Sequence, residues 1–226
     1  MIRVEQLSKF YGRKQVLSGI NLAFERGNVY GIVGENGAGK TTLFRCIAGL
    51  ENYKGSISSN LHPLKNHLGL LLTEPFFFPK ITGKEYLQLL ANARQTPLSN
   101  PTAKNIFDLP LHQYVSTYSS GMKKKLALTA ILLQNNEVFV LDEPFNGVDI
   151  QSNMVITEII KRLKAMGKTV IISSHIFSTL ADTCDEIYLM KEGKIIKKVM
   201  QQDFNHLETE IKAFTIGNRI DQLELK

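Results

Sequence analysis

The sequence predicts an α/β fold: a mostly parallel sheet built around a phosphate-binding loop, an N-terminal antiparallel β layer and a helical subdomain over about residues 74–130. Three observations predict it. Residues 34–42 read Gly-Glu-Asn-Gly-Ala-Gly-Lys-Thr-Thr, a match to G-x-x-x-x-G-K-[ST]. Short apolar runs alternate with amphipathic stretches on either side of that loop. The stretch 74–130 carries no apolar run that reads as a parallel strand. The 226 residues suffice for one large domain, and 1–226 reads as a single domain with a short C-terminal extension over about 200–226.

The elements follow in order. Residues 2–7 and 16–24 are strand-like, split by Phe10-Tyr11-Gly12, and 54–58 is a third short strand. Residues 29–33 read as a buried strand before the glycine-rich loop, and 43–50 as the helix after it. Residues 68–72 are continuously apolar, as a strand buried on both faces would be. A helix over 82–93 opens on a Thr82 cap with Glu85 three positions on, a capping box. Pro97, Pro101 and Pro110 break the pattern over 94–118. Helices are expected at 119–133, 152–166 and 177–182, strands at 138–141 and 169–173, and a hairpin at 186–190 with 194–199. Gly167 ends the second of these helices.

Strand, loop and helix in this order form a P-loop nucleoside-triphosphatase core. Gly34, Gly37 and Gly39 let the backbone turn tightly so that the N–H groups of Glu35, Asn36 and Ala38 can face an anion. The helix that follows turns its positive end to the same place. Lys40 would reach the β- and γ-phosphates of ATP, Thr41 would ligate Mg²⁺ and Thr42 would donate to phosphate. Downstream, Val138-Phe139-Val140-Leu141 leads into Asp142-Glu143. A buried strand ending in Asp142 puts that carboxylate beside the metal held by Thr41. Glu143 lies past the strand end, where it can orient and deprotonate water.

Composition limits the alternatives. Hydrophobic and charged fractions of 43% and 21% are those of ordinary globular chains. There is no signal-peptide pattern and no apolar run near about 18 residues, so no membrane span is expected. Cys46 and Cys184 stand apart, which fits a reducing cytosol rather than a disulfide framework. The net charge of +6 leaves nucleic acid, an anionic membrane face or phosphate ligands open. The run Lys123-Lys124-Lys125 reads as a solvated helix face.

With these motifs the chain resembles the nucleotide-binding domain of ATP-binding cassette (ABC) proteins over nearly its full length. Tyr118-Ser119-Ser120-Gly121-Met122 resembles that family's L-S-G-G-Q signature, matching at Ser119 and Gly121 and departing at Tyr118, Ser120 and Met122. Asp149, in Phe145-Asn146-Gly147-Val148-Asp149, resembles the acid of the D-loop, and His175 the switch histidine. Tyr11 resembles the aromatic residue that stacks on adenine, with a packed hairpin tyrosine as the alternative. Where the family usually has a Gln that contacts Mg²⁺ and the membrane partner, this chain has Thr73 followed by Glu74-Pro75. Either Thr73 acts through water, or Glu74 takes the role, or the contact is lost. Phe76-Phe77-Phe78 should be buried, or, if exposed, mark a partner groove; the resemblance favours the groove, since it implies that an apolar residue of this loop faces the transmembrane coupling helix.

The resemblance implies an ATPase. It implies that Ser119, Ser120, Gly121 and Met122 of a second copy complete the ATP site in trans, in a head-to-tail dimer. It further implies separate transmembrane permease subunits, no nucleic acid, and a cytoplasmic chain peripheral on the inner face of the cell membrane. The single cassette and the Tyr-Ser-Ser-Gly-Met loop resemble the exporter (ABC-2-like) branch. The alternative is a soluble cassette ATPase acting on ribosomes or DNA. A GTPase switch is disfavoured, since no Asn-Lys-x-Asp motif is present.

Overall fold

The structure is a computed structural model that describes residues 1–96 and 98–205. The expected tail over about 200–226 therefore lies mostly outside the described residues. Strands β1 (Ile2–Tyr11), β2 (Lys14–Phe24) and β4 (Lys54–Ser59) form an antiparallel sheet in the order β2-β1-β4. The second sheet holds β3 (Val29–Val33), β5 (Leu68–Leu71), β6 (Val138–Asp142), β7 (Thr169–Ser174), β8 (Glu186–Lys191) and β9 (Lys194–Met200). Its order is β5-β6-β7-β3-β8-β9, parallel throughout except for the β8-β9 hairpin.

The central strands are apolar without alternation because both faces are covered. Along β6, Val138 and Val140 join one core, which includes Phe24 of β2 and Leu43 and Phe44 of helix α1 (Lys40–Ile47). Phe139 and Leu141 join the other, with Leu128 and Ile131 of α3 (Ser120–Leu132) and Ile156 and Ile160 of α4 (Ile150–Ala165). Each such fully buried side chain contributes about 1.5–3 kcal/mol. The short α5 (Ser178–Ala181) closes this face through Leu180.

Residues 74–130 hold α2 (Gly83–Ala93), two 3₁₀ turns and most of α3. They share a core of their own, with Tyr86 and Leu87 packed against Leu109, Leu111, Val115, Tyr118 and Leu126. The capping box at α2 is complete: Thr82 Oγ1 accepts from the Glu85 amide, and the Glu85 carboxylate accepts from the Thr82 amide at 2.8 Å.

Two details depart from the sequence expectations, at Gln6 and Lys124, and a third, at Phe76 and Phe78, follows the partner-groove alternative. A bulge at Gln6, with φ of 49°, shifts the register of β1 and moves the inward positions from Ile2 and Val4 to Leu7 and Lys9. Phe76 and Phe78 are 70% and 53% exposed, stacked edge to face, while Phe77 packs on Tyr86. The lysine run is not a solvated face: Lys124 is only 5% exposed.

Candidate active site

A cleft of about 740 Å³ opens where the two sheets meet. Its wall includes Tyr11, Asn36, Gly37, Gly39, Lys40, Thr41, Thr42, Thr73, Glu74, Glu143, Asn146 and His175. Among the sequence candidates it thus gathers the phosphate loop, the residue after the acidic strand, the switch histidine and the aromatic residue. Gly34, Glu35 and Ala38 of the loop and the buried Asp142 are not part of the wall itself, and neither are Ser119, Ser120, Gly121, Met122 and Asp149.

The loop geometry follows from its glycines. Gly39 has φ of 108°, a conformation side chains disfavour, and turns the chain into α1. No side chain caps α1 and no carboxylate lies in its first turn, so its leading N–H groups remain available to an anion. Lys40 is buried, and its ammonium lies inside the loop. It donates to the Gly34 carbonyl at 2.6 Å and the Glu35 carbonyl at 3.2 Å, and sits 3.4 Å from Glu143 Oε1.

Asp142 is fully buried at the end of β6 and holds three hydroxyls. Thr41 donates to Oδ2 at 2.6 Å, Thr73 to the same oxygen at 2.7 Å, and Ser173 to Oδ1 at 2.5 Å. Thr73 is therefore brought directly onto the carboxylate, whereas Glu74 lines the cleft without a contact to Asp142. The donor set is one carboxylate and hydroxyl oxygens. That suits Mg²⁺, which keeps waters and takes its remaining ligands from substrate phosphates rather than from a protein cage. No cluster of three His, Cys, Asp or Glu side chains ready for a metal occurs among the described residues.

Glu143 begins the loop after β6 with φ of 50°. Its amide donates to Ser173 Oγ at 3.0 Å, and its Oε2 lies 2.9 Å from His175 Nδ1. Its Oε1 is buried with no hydrogen-bond partner. With only the Lys40 ammonium 3.4 Å away and no hydrogen bond made, this oxygen has capacity left to accept a water proton.

Tyr11 is 44% exposed at the cleft edge. Lys9 covers one face of its ring, with Nζ 4.7 Å from the centroid, and is itself paired to Glu51 at 2.9 Å. A base can therefore stack only on the other face.

The signature-like loop caps α3. Ser119 Oγ accepts from the Met122 amide at 3.2 Å and is exposed, as is Ser120. Tyr118 is buried and donates to the Pro110 carbonyl at 2.7 Å. Gly121 is required by close approach: a Cβ there would stand 2.5 Å from the Gly147 carbonyl oxygen. Asp149 caps α4, accepting from the Ser152 amide and hydroxyl and from Lys125. The Ser152 amide, then its hydroxyl and Lys125, hold the Asp149 carboxyl far below the usual range.

The family pattern described as ABC transporter matches residues 17–146. The chain belongs to the ABC transporter family. This ABC protein is an ATP-binding cassette ATPase. It is 32% identical to the bacitracin transport ATP-binding protein BcrA of Enterococcus faecalis over 96% of this chain and 75% of that one. It is 30% identical to the lantibiotic transport ATP-binding protein SrtF of Streptococcus pyogenes, over 92% of this chain and 94% of the other. Among solved structures, an ATP-binding subunit of an ABC transporter superposes with a TM-score of 0.77 at 26% identity, over 92% and 93% of the two chains. A dimeric, post-hydrolysis cassette bound to ADP and Pi shares the fold, with a TM-score of 0.80 at 19% identity over 89% and 99%.

Four residues at or beside the site of this cassette escaped the sequence. Ser173 sits in an apolar strand, and its hydroxyl alone gave no signal. Lys9 and Glu51 lie far apart in sequence. Lys124 was hidden in a basic run.

Proposed function

We propose that this cassette binds Mg²⁺-ATP in the cleft and hydrolyses it to power a membrane transporter. One observation carries the reading: Lys40, Thr41, Glu143 and His175 line a single cleft, with Lys40 and His175 in contact with Glu143 and the buried Asp142 directly behind Thr41. Lys40 and the amides of residues 34–42 bind the phosphates, and Tyr11 stacks on adenine. Thr41 and Asp142 hold Mg²⁺, with Thr73 against the same carboxylate. Mg²⁺ bound there supplies positive charge to the phosphate oxygens. Glu143 accepts a proton from water as the water oxygen attacks the γ-phosphorus and the bond to ADP breaks. His175 fixes the Glu143 carboxylate.

Ser119, Ser120, Gly121 and Met122 stand outside the cleft, which supports their acting on the ATP of a second copy. ATP then closes a head-to-tail dimer and hydrolysis opens it, with Asp149 near the shared boundary. The exposed Phe76 and Phe78 fit a contact with a separate transmembrane permease. No helix among the described residues is long and apolar enough to cross a membrane. We place the chain peripherally on the cytoplasmic face of the membrane, against that permease. Neither BcrA nor SrtF is named for a ribosome or for DNA.

Two variants test the reading. Lys40→Ala removes the charged partner of the phosphates, and both ATP binding and turnover should collapse. Glu143→Gln should keep ATP binding within about twofold and lower kcat by at least about a hundredfold, because an amide accepts no proton from water. Wild-type turnover in either variant removes the assignment of that residue.

A further inference from the structure

Among the described residues, Lys124 is the most deeply buried lysine outside the phosphate loop, and the proposed chemistry leaves it unused. Its ammonium donates to two backbone carbonyls, Glu143 O at 2.8 Å and Asn146 O at 2.7 Å. These carbonyls bracket a single turn, closed by the Asn146 amide on Glu143 O at 3.2 Å. Burying an ammonium is costly, and a methionine of similar length would fill the same space without that cost. Burial pushes the Lys124 ammonium below the ordinary lysine range, while the Glu143 and Asp142 carboxylates oppose the shift. Something other than packing therefore accounts for the charge at this position.

The turn it grips is the one that aims Glu143. The residue has φ of 50°, sparsely populated for a side chain with a Cβ. Its amide is held by Ser173 and its carboxylate by His175 and Lys40, so the carbonyl is the remaining handle on the peptide plane. Without the Lys124 ammonium the carbonyl keeps only the longer 3.2 Å bond from the Asn146 amide, and the backbone can relax and swing the carboxylate away from His175. We propose that Lys124 is a positioning residue for Glu143, acting through the backbone of the 143–146 turn.

Lys124 does not act alone on this loop. Gly121 approaches Gly147, and Lys125 binds Asp149 and Ser152 at 3.1 Å each. Direct contacts thus tie the first turns of α3 to residues 143–152. Ser119 lies five residues ahead of Lys124, about 7 Å along the helix. A displacement of Ser119 on meeting the phosphate of a second copy would pass directly to the Glu143 of its own chain.

The inference rests on Glu143 as the base, so Glu143→Gln is measured alongside. The experiment compares wild type, Lys124→Met and Lys124→Gln as full chains. The readouts are steady-state hydrolysis of Mg²⁺-ATP, ATP affinity, thermal unfolding and amide hydrogen exchange by mass spectrometry. Lys124→Met should lower kcat about ten- to a hundredfold with ATP affinity within about twofold. Its Tm should hold or rise, and faster exchange should be confined to residues 143–147. Lys124→Gln keeps two N–H donors at shorter reach and should fall between Met and wild type. Exchange reads the turn whether or not the isolated chain turns over. Wild-type kcat, or unchanged exchange at 143–147, in Lys124→Met overturns the proposal, as does a Lys124→Gln variant more impaired than Lys124→Met. If that happens while Glu143→Gln is inactive, only the role of Lys124 fails. If Glu143→Gln is active, the base assignment itself fails.

Discussion

Ser173 lies fully buried near the end of β7, donating to Asp142 Oδ1 and accepting from the Glu143 amide. One hydroxyl therefore sets both the proposed metal-holding carboxylate and the backbone of the proposed base. Ser173→Ala leaves a buried N–H and a buried carboxylate oxygen short of a partner, at a cost of about 1–3 kcal/mol in stability. Turnover should fall by about tenfold or more, since both functional groups lose their reference point. Thermal unfolding and steady-state ATPase rates check the two effects, and full activity with lowered Tm would reduce Ser173 to a packing role. Residues of this kind were not legible in sequence. The P-loop and Asp142-Glu143 carry fixed spacings dictated by phosphate and metal chemistry. Ser173 and Lys124 act through tertiary contacts that no spacing encodes. Thr73 shows the same limit: its position was evident, but only the fold places its hydroxyl on Asp142 Oδ2.

At the level of elements, legibility followed burial. β3, β6 and β7 are covered on both faces, and their continuous apolar runs named them within a residue or two. The Gln6 bulge left only a break in the alternation at Glu5-Gln6, with no Gly or Asn to mark its positive φ. The loop joining α3 to β6 is fixed electrostatically. Glu137, just before β6, binds Lys168 at 2.6 Å and Arg26 at 3.2 Å, tying β6 to the approach of β7 and to the turn before β3. The Lys168 hydrogen bond chiefly lowers the Glu137 pKa, against a smaller opposing effect of burial. A lowered folded-state pKa means stability that is present above the unfolded value, about 4.3, and lost as pH falls through the folded one. Glu137→Gln should therefore lower Tm at pH 7, and the gap from wild type should close as pH falls below about 4. Thermal unfolding across pH 3–8 measures this, and a gap independent of pH would mean that the loss is packing rather than charge.

For the whole molecule, the decisive question is which residues belong to one ATP site. The cleft of a single chain lacks any contribution from Ser119, Ser120, Gly121 and Met122. Ser119 nevertheless presents an exposed hydroxyl at the N-terminus of α3, a disposition suited to a phosphate approaching from another molecule. In a two-fold dimer each site then takes its phosphate loop from one chain and its signature-like loop from the other. That arrangement predicts complementation. Lys40→Ala disables the phosphate loop, and Ser119→Glu sets a carboxylate against the γ-phosphate while remaining favourable at a helix N-terminus. Each variant alone should be inactive, because both of its sites carry the same defect. In a mixed dimer one site pairs the intact phosphate loop of the Ser119→Glu chain with the intact Ser119 of the Lys40→Ala chain. The other site carries both defects. Half the dimers in an equal mixture are mixed and half their sites are intact, so turnover should recover to roughly a quarter of wild type if the sites act independently. Sites that fire only together would give none in the mixture, and would then also leave a dimer with one Glu143→Gln chain inactive. Recovery in the mixture is possible only if the two loops meet across chains. A mixture that stays dead, alongside a half-active dimer carrying one Glu143→Gln chain, places the signature-like loop outside the partner's ATP site.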